Sequence, residues 1–146
     1  MARDNDVCII VAGGAGIAIA YPLLWSLLHH NATPDQNAIP HPREQQMCLI
    51  WIVQDTSHIS WLGQETLDEL RELGLHLVVP PPTREHGRPD IRAILREQVK
   101  DLKEQNDIVS VVVSGPDGLN RTARNECARM IRKGIKVEVA VEKFGW

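Results

Sequence analysis

The longest uncharged run of the chain, residues 7–28, places the first constraint on its fold. It reads VCIIVAGGAGIAIAYPLLWSLL, and about 20 apolar residues are enough for a helix to cross a bilayer. Gly13, Gly14 and Gly16 lie close together within it, where they would destabilise a spanning helix. Two aspartates precede the run, in place of the lysine or arginine that usually flanks a membrane segment.

A buried strand, a glycine turn and a helix account for the same run without these conflicts. A central strand of a parallel sheet is a continuous apolar run, and residues 7–12 supply one that ends at glycine. The helical pattern continues over residues 17–28, with a bend or restart expected at Pro22. The alternatives are a membrane anchor, and a signal peptide that would use Arg3 as its positive charge.

Composition fits a single domain, residues 1–146, that is large enough to bury its own core. The chain is 43% hydrophobic and 24% charged, with a net charge of -3 and basic residues spread along its length; this balance disfavours a nucleic-acid partner. Cys8, Cys48 and Cys127 form no CxxC pair, which disfavours a disulfide framework or a zinc-thiolate site and suits a reducing compartment. The six histidines lack the HxxxH and HExxH spacings of metal sites, so we expect no metal.

Five apolar, β-branched runs alternate with four helical patterns along the chain. The strand patterns cover residues 7–12, 47–53, 75–79, 108–113 and 135–141. The helical patterns cover residues 17–28, 61–73, 89–102 and 119–132, and a polar, proline-rich loop is expected at residues 29–46. This alternation predicts an α/β fold in which right-handed crossovers build a five-stranded, doubly wound parallel sheet.

Ligands of such sheets bind outside the carboxyl ends of the strands, where the strand order reverses. Two of the loops expected there contain closely spaced glycines, AGGAGI after the first strand and SGPDGL after the fourth. Glycine lets backbone N–H groups approach a phosphate, and the start of the following helix adds positive potential. The first loop departs from the GxGxxG fingerprint because Ile19 stands at the third glycine position, and tight turns also use glycine for steric reasons alone.

Read together, four loop motifs resemble a known family. GGAGI follows the first strand, GRPD the third, SGPDG the fourth, and EKFGW ends the sequence. In this order they resemble the nucleotide-binding half of the ferredoxin reductase superfamily, most of all the C-terminal NAD(P)-binding (dehydrogenase) lobe of membrane ferric reductases and NADPH oxidases. LIWIVQDTSHISWL resembles the second-strand region of the same enzymes, and the resemblance covers almost the whole chain.

The resemblance implies one lobe of an NADPH-dependent flavin oxidoreductase of the ferric-chelate reductase type. NADPH would give a hydride to FAD held by a preceding barrel domain, and FAD would pass single electrons to haem in a transmembrane domain. The chain would then be a part of a larger membrane protein that works at the cytosolic face. By itself we expect it to be soluble and inactive without its FAD domain. A non-catalytic dinucleotide-binding or sensing module is the alternative from another functional class.

The resemblance places the coenzyme pyrophosphate at the first glycine loop. Gly13, Gly14, Gly16 and Ile17 match the family positions that surround it, whereas Ala18 stands where the family often has threonine. Turn sterics alone would also explain the glycines.

The adenosine end of the coenzyme is implied at two other loops. Arg88 and Pro89 in HGRPD match the family arginine motif that contacts an adenosine phosphate. Gln54 stands where many relatives have an arginine for the 2'-phosphate, and Arg84 could replace that charge. Asp55 could instead accept a ribose 2'-OH, a feature of NADH sites. The resemblance favours NADPH and leaves NADH as the alternative.

The nicotinamide end is implied at the fourth strand and the chain terminus. Ser114, Gly115 and Pro116 stand where the family usually has Cys-Gly-Pro, with Gly118 in the same loop. Trp146 would cover the flavin ring and move aside during turnover, and Phe144, the other aromatic residue of EKFGW, would lie in the core or line the pocket. Such a site orients the reacting rings, so we expect no acid–base side chain.

Overall fold

The five strand patterns form one parallel sheet in the computed structural model, which describes residues 7–32, 46–100 and 108–142. The strands are β1 (Val7–Gly13), β2 (Gln46–Ile52), β3 (Leu75–Val78), β4 (Ile108–Ser114) and β5 (Lys136–Glu142). Their order is β3-β2-β1-β4-β5. Val7 aligns with Gln46 of β2 on one side and with Val109 of β4 on the other. The predicted five-stranded α/β architecture is confirmed.

Helices and short 3-10 segments connect the strands. The helices are α1 (Ile17–Ala32), α2 (Gln64–Glu72), α3 (Thr83–His86), α4 (Ile91–Val99) and α5 (Asp117–Arg132). Gly14–Gly16 and Thr56–Trp61 form 3-10 turns after β1 and β2.

Two apolar layers cover the two faces of the sheet. Successive strand side chains point to opposite faces, so Cys8 and Ile10 of β1 pack with α1 and α2. Ile9 and Val11 pack with α4 and α5 on the other face. Because both faces of β1 are covered, its sequence is apolar throughout rather than alternating.

The uncharged run at residues 7–28 forms β1, the Gly14–Gly16 turn and most of α1. The strand-turn-helix prediction is therefore confirmed. Pro22 lies within α1, and the helix continues past it instead of restarting. In the parts of the chain that the structure describes, no helix combines the length and apolarity needed to cross a bilayer.

Element boundaries differ from the sequence predictions at turns. The helix predicted from residue 61 begins at Gln64, because Gly63 has a φ of 81° and separates it from the preceding 3-10 turn. α1 extends through His29 into the predicted loop. α3 lies in a segment for which no helix was predicted, and α5 begins at Asp117, two residues before its predicted start.

Candidate functional site

The strand order reverses at the carboxyl ends of β1 and β4, the position at which open α/β sheets form a ligand crevice; we call this position the crevice. The two strands are neighbours, but α1 packs on one face of the sheet and α5 on the other. The chain therefore leaves β1 and β4 toward opposite faces of the sheet. The two loops with closely spaced glycines, AGGAGI and SGPDGL, lie together at this point.

Gly13 and Gly115 bring the two loops into backbone contact. A Cβ on Gly115 would lie 3.3 Å from the Gly13 nitrogen, and a Cβ on Gly13 would lie 2.7 Å from Cδ2 of Leu119. On Gly115 too, an added Cβ would come closest to Cδ2 of Leu119, at 2.8 Å, so Leu119 would have to move before a side chain fits at either position. These glycines let the two loops approach closely, whatever binds nearby.

Gly16 has an even stricter packing role. A Cβ at this position would lie 2.1 Å from the Ser114 carbonyl oxygen, and a backbone carbonyl cannot rotate away as a side chain can. Gly16 thus lets the start of α1 pack against the end of β4. This is the role of the third glycine in dinucleotide-binding turns.

Gly14 is the glycine of the first loop that leaves open space in front of the backbone. It has a φ of 56°, and a Cβ there would meet no atom within 4 Å. Ala15 beside it is exposed, whereas Ile17 is buried in the core. The indole Nε1 of buried Trp51 donates to the Gly14 carbonyl at 3.4 Å, which fixes the loop to β2. Because the first N–H groups of a helix lack intrahelical partners, this edge can accept an anion.

Two buried polar atoms at the crevice lack hydrogen-bond partners. Ser114 is 1% exposed, and its Oγ has no partner. The amide nitrogen of Asn120 donates to the Gly115 carbonyl at 3.0 Å, but its Oδ1 is also unpartnered. An unsatisfied buried polar group costs free energy, so both atoms have a hydrogen bond left to make.

Arg88 lies over the start of α5, beside the crevice. Its Nη1 is 4.0 Å from the position that a Cβ on Gly118 would take, and the residue is exposed. The backbone on both sides is fixed: Gly87 ends α3 with a φ of 75°, and the Asp90 carboxylate caps α4 at the Ala93 N–H. The GRPD motif thus presents a guanidinium at the edge of the SGPDG loop.

A second cluster forms at the carboxyl end of β2. Asp55 accepts from the Ser57 N–H through Oδ1 at 2.9 Å and contacts Nη1 of Arg84 through Oδ2 at 3.3 Å. The hydrogen bonds from Ser57, with smaller contributions from Arg84 and His58, lower the pKa of Asp55 below its ordinary value. Both carboxylate oxygens of Asp55 therefore already have partners.

Backbone hydrogen bonds hold this cluster together. The Arg84 N–H donates to the Gln54 carbonyl at 3.1 Å, and the Thr83 N–H donates to the Val53 carbonyl at 2.9 Å. The Gln54 side chain is exposed. Since β2 lies next to β1 in the sheet, this cluster flanks the crevice on the side away from β4.

The structure thus brings most of the predicted site residues to one edge of the sheet, in two groups. Trp51, Leu119 and Asn120 belong to the same edge and were not predicted as site residues. The sequence could have indicated Asn120, because it is a polar residue in the buried stripe of α5. Trp146 and Phe144, predicted to contact the flavin, lie outside the described residues.

A metal site and a cavity are the two other features that could mark a functional site. Within residues 7–32, 46–100 and 108–142, no three His, Cys, Asp or Glu side chains come together as a metal site would require. A cavity of about 270 Å³ lies at the opposite, amino edge of the sheet, where Val7, Gln46, Gly74 and His76 line it. The carboxyl edge, with its open backbone and unpartnered polar atoms, is the stronger candidate.

Comparison with known proteins gives one family. A family model described as ferric reductase NAD binding domain matches residues 5–79, just over half of the chain. The match includes the Gly14 loop, Gln54 and Asp55, and it ends before Arg84, Arg88 and Ser114. No curated protein matches the chain.

Proposed function

Because the chain belongs to the ferric reductase NAD binding domain family, we propose that it binds NADPH and presents the nicotinamide for hydride transfer to FAD. The parent enzyme would be a transmembrane ferric-chelate reductase or an NADPH oxidase type enzyme. The observation that carries this proposal is the open backbone at Gly14, in the 3-10 turn that directly precedes α1.

The pyrophosphate would lie at the Gly14 turn. A Cβ is absent where the phosphate must approach, and the positive end of the α1 dipole faces the same space. Gly13, Gly16 and Gly115 hold the surrounding backbone in place through packing, without needing to touch the coenzyme. The residues present therefore fit a dinucleotide.

Two arginines support NADPH over NADH. Arg88 makes no ion pair with any residue that the structure describes, so its planar guanidinium can take a 2'-phosphate through paired hydrogen bonds. Arg84 stands beside Gln54 and pairs with Asp55 at 3.3 Å, so its support lies in neutralising that carboxylate. Asp55 is engaged by Ser57 and Arg84, which leaves it less able to accept the ribose hydroxyl of NADH.

Hydride transfer depends on orientation rather than on proton transfer by the chain. When bound, the nicotinamide supplies a hydride to the flavin. Ser114, Gly115 and Pro116 would form one wall of its pocket, and the Ser114 hydroxyl has a hydrogen bond to offer. Trp146 would cover the flavin face until coenzyme enters, with Phe144 beside it. FAD would be bound mainly by a barrel domain and haem by a membrane domain of the same parent protein, with this lobe at the cytosolic face.

Co-expression with a flavin-binding barrel domain of this family tests the proposal. Adding NADPH anaerobically should bleach the flavin absorbance, and NADH should do so more weakly. NADPH binding without bleaching would instead indicate a dinucleotide-sensing module.

The variant Arg88→Gln tests coenzyme preference. Its control is Arg92→Gln, which replaces an exposed arginine of α4. Loss of charge-assisted bonds should raise the Kd for NADPH about 10- to 100-fold in Arg88→Gln, with little change for NADH. Arg92→Gln should bind both coenzymes as the unmodified chain does. Equal weakening for NADPH and NADH in Arg88→Gln would contradict the 2'-phosphate role.

A further inference from the structure

The outer surface of α5 is strongly basic, although basic residues are spread along the sequence as a whole. The helix buries a stripe that contains Asn120, Ala123, Cys127 and Met130. At about 100° per residue, the arginines of α5 point away from that stripe. The exposed basic residues of α5 and its C-terminal cap are Arg121, Arg124, Arg129, Arg132 and Lys133, and we call these five the α5 basic face.

The basic side chains of this face form no ion pairs within the part of the chain that the structure describes. This holds for all five residues of the α5 basic face. Of the two acidic residues of α5, Glu126 is 3% exposed and points inward to Arg96 at 2.8 Å, and exposed Asp117 lies one turn before Arg121. Because the whole chain has a net charge of -3, subtracting these five positive charges leaves -8 on the rest.

An apolar side chain lies on the same exposed surface. Ile131 is 52% exposed and follows Arg124 by two helical turns. Basic side chains without ion-pair partners are attracted to an anionic leaflet, and an exposed aliphatic side chain beside them can enter its headgroup region. From this combination we infer that the α5 basic face docks on an anionic phospholipid surface.

The shape and charge of the molecule favour a planar, extended partner. Arg121 and Arg132 are about 17 Å apart along the helix axis, at 1.5 Å per residue, and the side chains spread over an exposed arc without forming a pocket. Each Lys or Arg near an anionic leaflet contributes favourable binding energy. The acidic remainder of the chain is repelled by the same leaflet, so the field orients this face toward it.

Docking through α5 leaves the coenzyme crevice accessible from the side. α5 begins at Asp117, next to the Ser114–Gly115 loop, and runs back toward the amino edge of the sheet. The basic residues lie on its solvent side, away from the sheet. Lipid binding through this face needs no coenzyme, so it can be tested separately from the proposed function.

Co-sedimentation of the purified chain with phospholipid vesicles is the test. We expect binding to phosphatidylcholine vesicles that contain phosphatidylserine, and none to phosphatidylcholine alone. Binding should weaken as ionic strength rises, because salt screens these charges. The double variant Arg121→Gln/Arg132→Gln should lose about 30-fold in partition coefficient, or about fivefold for each charge removed.

A second double variant, with the same net charge as Arg121→Gln/Arg132→Gln, provides the control. Arg71→Gln/Arg92→Gln removes two exposed arginines of α2 and α4 and should bind as the unmodified chain does. Equal losses in both variants, binding to uncharged vesicles, or no binding at all would overturn the inference. Tighter binding to duplex DNA than to the anionic vesicles at the same ionic strength would assign the face to nucleic acid and overturn it as well.

Discussion

At the scale of residues, Gly14 and Gly16 have different physical roles although they are two positions apart. Gly16 is required because the Ser114 carbonyl occupies the space of a side chain. Gly14 is required by its positive φ and leaves the space before it open. The sequence predicted that glycines would cluster here but could not separate these roles, because they depend on how closely β4 approaches.

Replacing each glycine with alanine should separate packing from binding. Gly16→Ala should lower the free energy of unfolding by about 3 kcal/mol, since the new methyl group meets a backbone carbonyl. Gly14→Ala should lower it by only about 1 kcal/mol, the cost of a left-handed alanine, but should weaken NADPH binding. Urea unfolding and a coenzyme titration measure the two effects. Equal losses of stability in both variants would show that the carbonyl contact is not present.

The three cysteines are buried and should make stability fall at alkaline pH. Burial raises the pKa of Cys8 to about 11, of Cys48 to about 12 and of Cys127 to about 11, from an ordinary value of 9.0. Above pH 9 the thiols of the unfolded chain ionise while those of the folded chain stay protonated, which favours unfolding. The stabilising effect is complete below pH 9 and is lost as the pH rises toward the folded values.

In this pH range, each thiol should lower the free energy of unfolding by up to about 1.4 kcal/mol per pH unit. Urea unfolding at several alkaline pH values measures the slope, and Cys127→Ala should reduce it by the share of one thiol. An unchanged slope in Cys127→Ala would mean that this thiol ionises equally well in the folded chain.

Contacts between residues far apart in the chain could not be predicted from the sequence. The GRPD motif predicts Arg88 as a site residue, and the structure places it near Gly118 at the carboxyl edge of the sheet. The ion pair between Asp55 and Arg84 was not predicted, because it depends on α3 folding back against the end of β2. The sequence offers Asp55 as a ribose ligand of NADH, and the structure shows that its side chain caps a 3-10 turn.

At the scale of elements, α4 and α5 are joined by one buried charge. Glu126 lies within the apolar stripe of α5, and Nε of Arg96 reaches it from α4 at 2.8 Å. Arg96→Met should lower the free energy of unfolding by about 3 kcal/mol, because it leaves a carboxylate buried without a partner. Arg96→Met/Glu126→Leu should recover most of that loss. Chemical denaturation of the single and the double variant measures both free energies of unfolding. A double variant less stable than Arg96→Met would contradict this account.

Strands were predicted more accurately than helix ends. Each strand was located to within about two residues, since β-branched apolar runs bounded by glycine, proline or polar residues leave few other structures open. Helix starts depend on capping, which is less visible in sequence. The 3-10 turn that Asp55 caps ends at Trp61, the first residue predicted for α2, and Gly63 then delays the start of that helix to Gln64.

At the scale of the molecule, the position of the site follows from the connections between strands. The alternation of strands and helices predicted a parallel sheet and placed ligands at its carboxyl edge. It did not specify the order β3-β2-β1-β4-β5, which depends on strand pairings between residues far apart in sequence. That order makes β1 and β4 neighbours, and so brings the GGAGI and SGPDG loops together.

The central claim is that NADPH binds in the crevice between β1 and β4, and amide NMR shifts during titration test it most directly. NADPH should cause saturable shifts at residues 13–16, at Arg88 and at residues 114–118, with weaker shifts for NADH. Shifts confined to the amino edge, at Val7, Gln46 and His76, or no saturable shift with either coenzyme, would contradict the claim.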